Sequence, residues 1–91
     1  MDAITRILHR LHKTQESCFG SPIGVSIEAS KGVYDAKVLT TSIISPNSID
    51  TYIITSSMTS DEAFQIWGDI IKKINELKDK YIGNKVTQLA P

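Results

Sequence analysis

The sequence predicts a small α+β domain: a helix, a three-stranded antiparallel meander and a second helix, with both helices on one sheet face. Two observations carry this. Apolar residues recur at helical spacing near the two ends of the chain, and the segments between them alternate apolar with polar or small residues, as half-buried strands do. The connections between those segments are too short for a parallel crossover, which leaves hairpins.

Asp2 stands where a helix cap belongs, and Ile4, Ile7, Leu8 and Leu11 follow on one helical face. Arg6, His9, Arg10 and Lys13 take the wetter side. Phe19-Gly20-Ser21-Pro22 is a stop signal, with Cys18 and Phe19 expected as apolar plugs at the helix end. Ile23-Gly24-Val25-Ser26-Ile27-Glu28-Ala29 has the period of the first strand. Ser30-Lys31-Gly32 reads as a tight turn, because Gly32 is free to adopt positive φ. The second strand is expected from Val33 to Ile44. Ser45-Pro46-Asn47-Ser48 then forms a turn in which proline presets φ, and a third strand runs from Ile49 to about Ser56.

The second helix has the most complete local signature. Thr59 and Glu62 have the spacing of a capping box, and Asp61 and Glu62 suit the positive helix start as Lys78 and Lys80 suit its end. Ala63, Ile66, Trp67, Ile70, Ile71, Ile74, Leu77 and Tyr81 form the stripe expected to be buried. Asp69 with Lys73 and Glu76 with Lys80 are spaced as ion pairs on the outside. Gly83 is a natural terminator. The domain is therefore expected over residues 1–83, with 84–91 as a C-terminal tail whose Val86 and Leu89 are able to dock.

Counting outward from turns centred on Lys31-Gly32 and Pro46-Asn47 gives a register. It sets Val25 opposite Val38, Ile27 opposite Ala36, Glu28 opposite Asp35, Thr40 opposite Ile53 and Ile44 opposite Ile49. Ile23, Val25, Ile27, Tyr34, Ala36, Val38, Ile44, Ile49 and Ile53 would then meet the helices. Leu39, Thr41, Ile43, Tyr52 and Ile54 would remain on the reverse face, a contiguous patch of the kind used for interaction. Glu28, Asp35, Lys37 and Asp50 would be its polar rim. A one-residue slip would exchange the two faces, yet apolar residues would still be left over.

Composition narrows the function. In 91 residues, ten basic side chains balance ten acidic ones, which disfavours a protein living by phosphate contacts. A single cysteine excludes an intrachain disulfide and suits a reducing compartment. No apolar run approaches the ~20 residues needed to span a bilayer, and the basic N-terminal segment lacks a secretory pattern, so the expected location is cytoplasmic with no membrane partner.

Motifs for chemistry are sparse. His9 and His12 have helical metal-ligand spacing, with Cys18 further on, but a fourth ligand is missing and two surface histidines are expected instead. Cys18 reads as a structural thiol. Glu28 and Asp35 are expected to be solvated, with Lys37 relieving their repulsion. No serine lies in a nucleophile elbow and no glycine-rich loop forms a phosphate cradle. No catalytic residue, metal or cofactor is therefore expected, and the chain does not read as an enzyme.

The one cationic concentration is on the first helix, where Arg6, His9, Arg10 and Lys13 are candidates for contact with an anion. The element order is that of double-stranded RNA-binding domains. Their lysine-rich start to the second helix is replaced here by Asp61 and Glu62, so membership does not follow. The reading is a non-catalytic binding or assembly protein, a homodimer or higher oligomer built through Leu39, Thr41, Ile43, Tyr52 and Ile54. It fits an accessory or inhibitor-like regulatory factor of microbial or phage origin that binds itself or another protein. The alternatives are a nucleic-acid-binding module using the basic helix, and a small-ligand binder with its site at a subunit junction.

Overall fold

The computed structural model describes residues 2–83; the expected tail, with Val86 and Leu89, lies outside the described residues. Its order is α1 (Ala3–Ser17), β1 (Gly24–Lys31), β2 (Lys37–Ser45), β3 (Ser48–Thr55) and α2 (Ser60–Tyr81), the α+β arrangement predicted. The sheet is antiparallel in the order β1-β2-β3. Successive chain reversals between α1 and α2 make the two helices run the same way. α1 lies over β1 and β2, and α2 over β2 and β3.

Local signals set the helix ends. The Asp2 carboxylate accepts the Thr5 amide hydrogen at 2.8 Å, and hydrogen bonding to Thr5 holds that carboxyl below its ordinary range. At α2 the capping box is reciprocal: Thr59 Oγ1 accepts from the Glu62 amide at 3.2 Å, while Glu62 Oε1 accepts from the Thr59 amide at 3.1 Å. Gly83, at φ 103, closes α2 by donating its amide to the Lys78 carbonyl at 3.0 Å. Cys18 is buried beyond α1 as expected, but Phe19 beside it is 74% exposed and plugs nothing.

The β2–β3 pairing is the one counted from the Pro46-Asn47 turn: Thr40 faces Ile53 and Ile44 faces Ile49. The β1–β2 pairing is different. Val25 faces Ile43 rather than Val38, and Glu28 faces Thr40 rather than Asp35. Gly32 has an extended φ of −103, and the left-handed positions fall on Tyr34 (φ 56) and Asp35 (φ 58). Two adjacent positive φ values and a hydrogen bond of 3.2 Å from the Ala36 amide to the Val33 carbonyl describe a type I′ turn. The expected second strand from Val33 thus loses its first four residues to the turn, and β1 gains Ser30 and Lys31.

This displacement is five residues, an odd number, so it inverts β2 and β3 relative to β1. Ile23 and Val25 are buried as expected. Their neighbours under the helices are Leu39, Thr41, Ile43 and Ile54, with Tyr52 half-buried at the margin. These are the five residues assigned from the sequence to the open face, and that assignment is corrected here. Ile7 and Leu11 from α1 complete the core with Trp67, Ile70, Ile71, Ile74 and Leu77 from α2. Lys73 reaches the sheet, pairing with Asp50 at 3.6 Å, instead of lying along the helix to Asp69.

The core contains two polar atoms without a hydrogen-bond partner among the described residues, Thr41 Oγ1 and Trp67 Nε1. An unpartnered buried hydroxyl disfavours the folded state, and valine has the same shape without it. Thr41→Val is expected to raise unfolding stability by about 1 kcal/mol in urea titration. A loss of stability of that size would show that the hydroxyl is satisfied in the folded protein.

Candidate interaction surfaces

With the helices on one side, the other side of the sheet presents four positions from each strand. Their rows, read from the pairing, are Gly24-Ile44-Ile49, Ser26-Ser42-Thr51, Glu28-Thr40-Ile53 and Ser30-Val38-Thr55. Ile49 is 69% exposed, Ile53 52% and Ile44 40%. The remaining positions are chiefly small hydroxylated residues, and Ser42 and Thr51 share a hydrogen bond of 3.1 Å between their side chains. Glu28 is the one charged side chain among these positions, and it stands on edge strand β1. Solvated sheet faces normally carry many more charges; depletion of charge with retained apolar area is the composition of interface centres.

The residues that make this surface apolar, Val38, Ile44, Ile49 and Ile53, are those the sequence reading directed toward the helices. A signal was present. The row of Ser42 and Thr51 runs through the middle of this face, and roofing it would bury hydroxyls, whereas the opposite face offers Leu39, Ile43 and Ile54.

The basic residues of α1 do come together. Arg6, His9, Arg10 and Lys13 are all exposed and border a shallow depression of about 270 Å³. The guanidinium carbons of Arg6 and Arg10 lie 5.7 and 5.4 Å from the centroid of the Phe64 ring on α2. No carboxylate among the described residues lies within ion-pair distance of either arginine.

The other groups weighed for chemistry are dispersed. Glu28 and Asp35 do not face one another, since Asp35 belongs to the turn. His9 and His12 are exposed on α1, and Cys18 is a buried free thiol. Among the described residues no group of three His, Cys, Asp or Glu side chains is placed to hold a metal ion, and no helix is long and apolar enough to cross a membrane. At the β3–α2 seam, Tyr52 shares a shallow pocket with Asp69, Lys72, Lys73 and Glu76. Burial first, and then the negative field of Asp50, Asp69 and Glu76, raises its phenol above the ordinary value. That keeps the phenol protonated and suits it to packing rather than to proton abstraction.

Compared with protein families, curated proteins and solved structures, the chain matches none.

A raised folded-state pKa means that Tyr52 contributes stability fully below the ordinary phenol range and loses it as pH rises through the folded value. In an ultraviolet pH titration, Tyr52 is expected to ionise above the ordinary phenol range. The late component should vanish in Tyr52→Phe, and its persistence would place the shift on another tyrosine.

Proposed function

We propose that this protein is a small assembly module that pairs with a second copy of itself through the open sheet face. The observation that supports it most is the outward side of the three strands, where exposed isoleucines and hydroxyls occupy positions that carry a single charge. Equal numbers of acidic and basic residues leave no net repulsion between copies. A two-fold axis lying between two such faces reverses the rows, setting Ile44 and Ile49 of one copy over Val38 and Thr55 of the other. The hydroxyl row then meets Thr40 and Ile53. Glu28 stays at an edge, where water still reaches it.

The flatness supports the same reading. Serine, threonine and β-branched side chains let two sheets approach to about 10 Å with little interdigitation. Strands of eight residues make a face roughly 26 Å long and about 14 Å wide. That is small for a protein interface and belongs to the class of weak or transient pairs, buried below about 1,200 Å² in total. Association in the micromolar range follows.

Sedimentation equilibrium across concentration tests this on the chain and on Ile49→Lys with Ile53→Lys. The parent is expected to double its mass, and the variant to dissociate about 100-fold more readily, as loss of the two most exposed apolar contacts of the face together with two added charges implies. Circular dichroism should be unchanged, and thermal unfolding should match that of the parent at concentrations too low for pairing, because both positions lie outside the core. A parent that stays monomeric at millimolar concentration, or a variant that pairs as before, would overturn the proposal.

A second reading rests on α1, where Arg6 and Arg10 both lie against the Phe64 ring without carboxylate partners among the described residues. Such guanidinium groups suit phosphate, and the corresponding activity is salt-sensitive binding to nucleic acid. Arg6→Glu with Arg10→Glu should then weaken binding to a mixed-sequence oligonucleotide at least tenfold and reduce its salt dependence. Equal retention of parent and variant on the oligonucleotide would exclude it.

A further inference from the structure

The β1–β2 hairpin reaches past the first turn of α1, and a cleft of about 370 Å³ opens between them. Ile4 and Leu8 of α1 form one wall, and Ala29 and Leu39 of the hairpin form the floor. Its volume lies at the lower end of the range for small-molecule sites, and the lining is mostly apolar. Leu8 is only partly buried, although it lies on the core-facing side of α1. The helix therefore carries apolar surface into the cleft that no other element among the described residues covers.

The charged side chains lining the cleft are of one sign, beside the hydroxyl residues Thr5 and Ser30. Lys31 and Lys37 also line the cleft and stand directly opposite each other in the β1–β2 register. Strand alternation puts both on the helix side of the sheet, in step with Ala29 and Leu39. Like charges directly across a ladder destabilise a hairpin. Yet no carboxylate among the described residues is within ion-pair distance of either lysine. Of the acidic groups nearby, Asp2 accepts the Thr5 amide hydrogen and lies within the field of Lys37 without forming an ion pair, Asp35 belongs to the exposed turn, and Glu28 occupies the other face. An apolar trough ending in two ammonium groups, only one of them in the field of a carboxylate, keeps a net positive end and is complementary to a molecule with a hydrocarbon body and an anionic end.

We propose that this cleft binds a free amphiphilic carboxylate, its chain against Ile4, Leu8 and Leu39 and its head group between Lys31 and Lys37. The concave shape selects a dissolved molecule over a bilayer surface, since a walled trough admits one chain and cannot lie flat on many. The site lies mainly on the helix side of the hairpin, bordered at its edge by Ser30 and Val38 of the open-face row, and its apolar wall and both lysines are clear of the surface proposed for self-association.

Calorimetric titration of the full chain with octanoate, below its micelle concentration, tests the site. One octanoate per chain is expected, with hexanoate about tenfold weaker, since each buried methylene contributes roughly a factor of three to four. Octanol and octylammonium should bind at least tenfold more weakly than octanoate. Lys31→Glu with Lys37→Glu should lose octanoate and gain octylammonium, an exchange that a misfolded variant would not produce. Equal binding of octanol and octanoate, unchanged octanoate binding in the reversed variant, or no binding of octanoate would overturn the proposal. So would capture by anionic phospholipid vesicles that free octanoate does not displace, because the charge would then be serving a membrane.

Discussion

Alternation along β2 is the constraint on which the rest of the molecule depends. Leu39, Thr41 and Ile43 point one way and Val38, Thr40, Ser42 and Ile44 the other, so the pairing of β2 decides which set is roofed. The register adopted pairs β2 with both neighbours over the same stretch, Gly24–Lys31 on one side and Ser48–Thr55 on the other. It does so with two L-residues, Tyr34 and Asp35, held in the left-handed region, at about 1–2 kcal/mol each. Full burial of Leu39, Ile43 and Ile54 contributes about 1.5–3 kcal/mol for each side chain, enough to outweigh that strain. The reverse choice would have placed Thr40, Ser42 and Thr51 beneath the helices, where each hydroxyl needs a partner.

That balance explains which parts of the fold could be read from the chain. Helix ends are decided within four residues, and both caps, Asp2 with Thr5 and Thr59 with Glu62, form as their spacing predicts. The Pro46-Asn47 turn is equally local, so the β2–β3 register follows from it. The first hairpin is not local. Gly32 has the sequence chemistry of a turn centre but stays extended, while Tyr34, a poor left-handed residue, takes the bend because sheet-wide pairing requires it. An excess of apolar residues over both sheet faces was therefore legible, whereas the identity of the uncovered face was not. A local turn preference cannot reveal a choice made by the whole core.

The distribution of charge follows from the same choice. α2 carries nine charged side chains, and those on its outer side keep the helix layer wet. α1 presents Arg6, Arg10 and Lys13 to solvent. The sheet's outward side, which has comparable access to water, carries Glu28 alone. Solubility requirements act on both surfaces alike, so the difference has to come from what each surface meets. A helix layer facing water keeps its charges, while a β-branched, hydroxyl-rich face lacking them is suited to contact with another flat surface.

Domain size sharpens this argument. A chain of 91 residues with one roofed sheet has a single thin core, and much of its apolar surface remains accessible. Stacking two open faces would turn helix-over-sheet into a helix–sheet–sheet–helix sandwich without changing the register or the core. The exposed isoleucines fall on either side of the Ser42 and Thr51 row, Ile44 and Ile49 in the row before it and Ile53 in the row after it. Such an arrangement gives a pair two apolar contacts separated by a polar strip, which fixes orientation more than it adds affinity. The cleft beside α1 lies mainly on the opposite side of the β1–β2 hairpin and meets the open face only at Ser30 and Val38. Ile49 and Ile53 belong to pairing alone and Lys31 and Lys37 to the cleft alone, so each can be disrupted while the other is left in place.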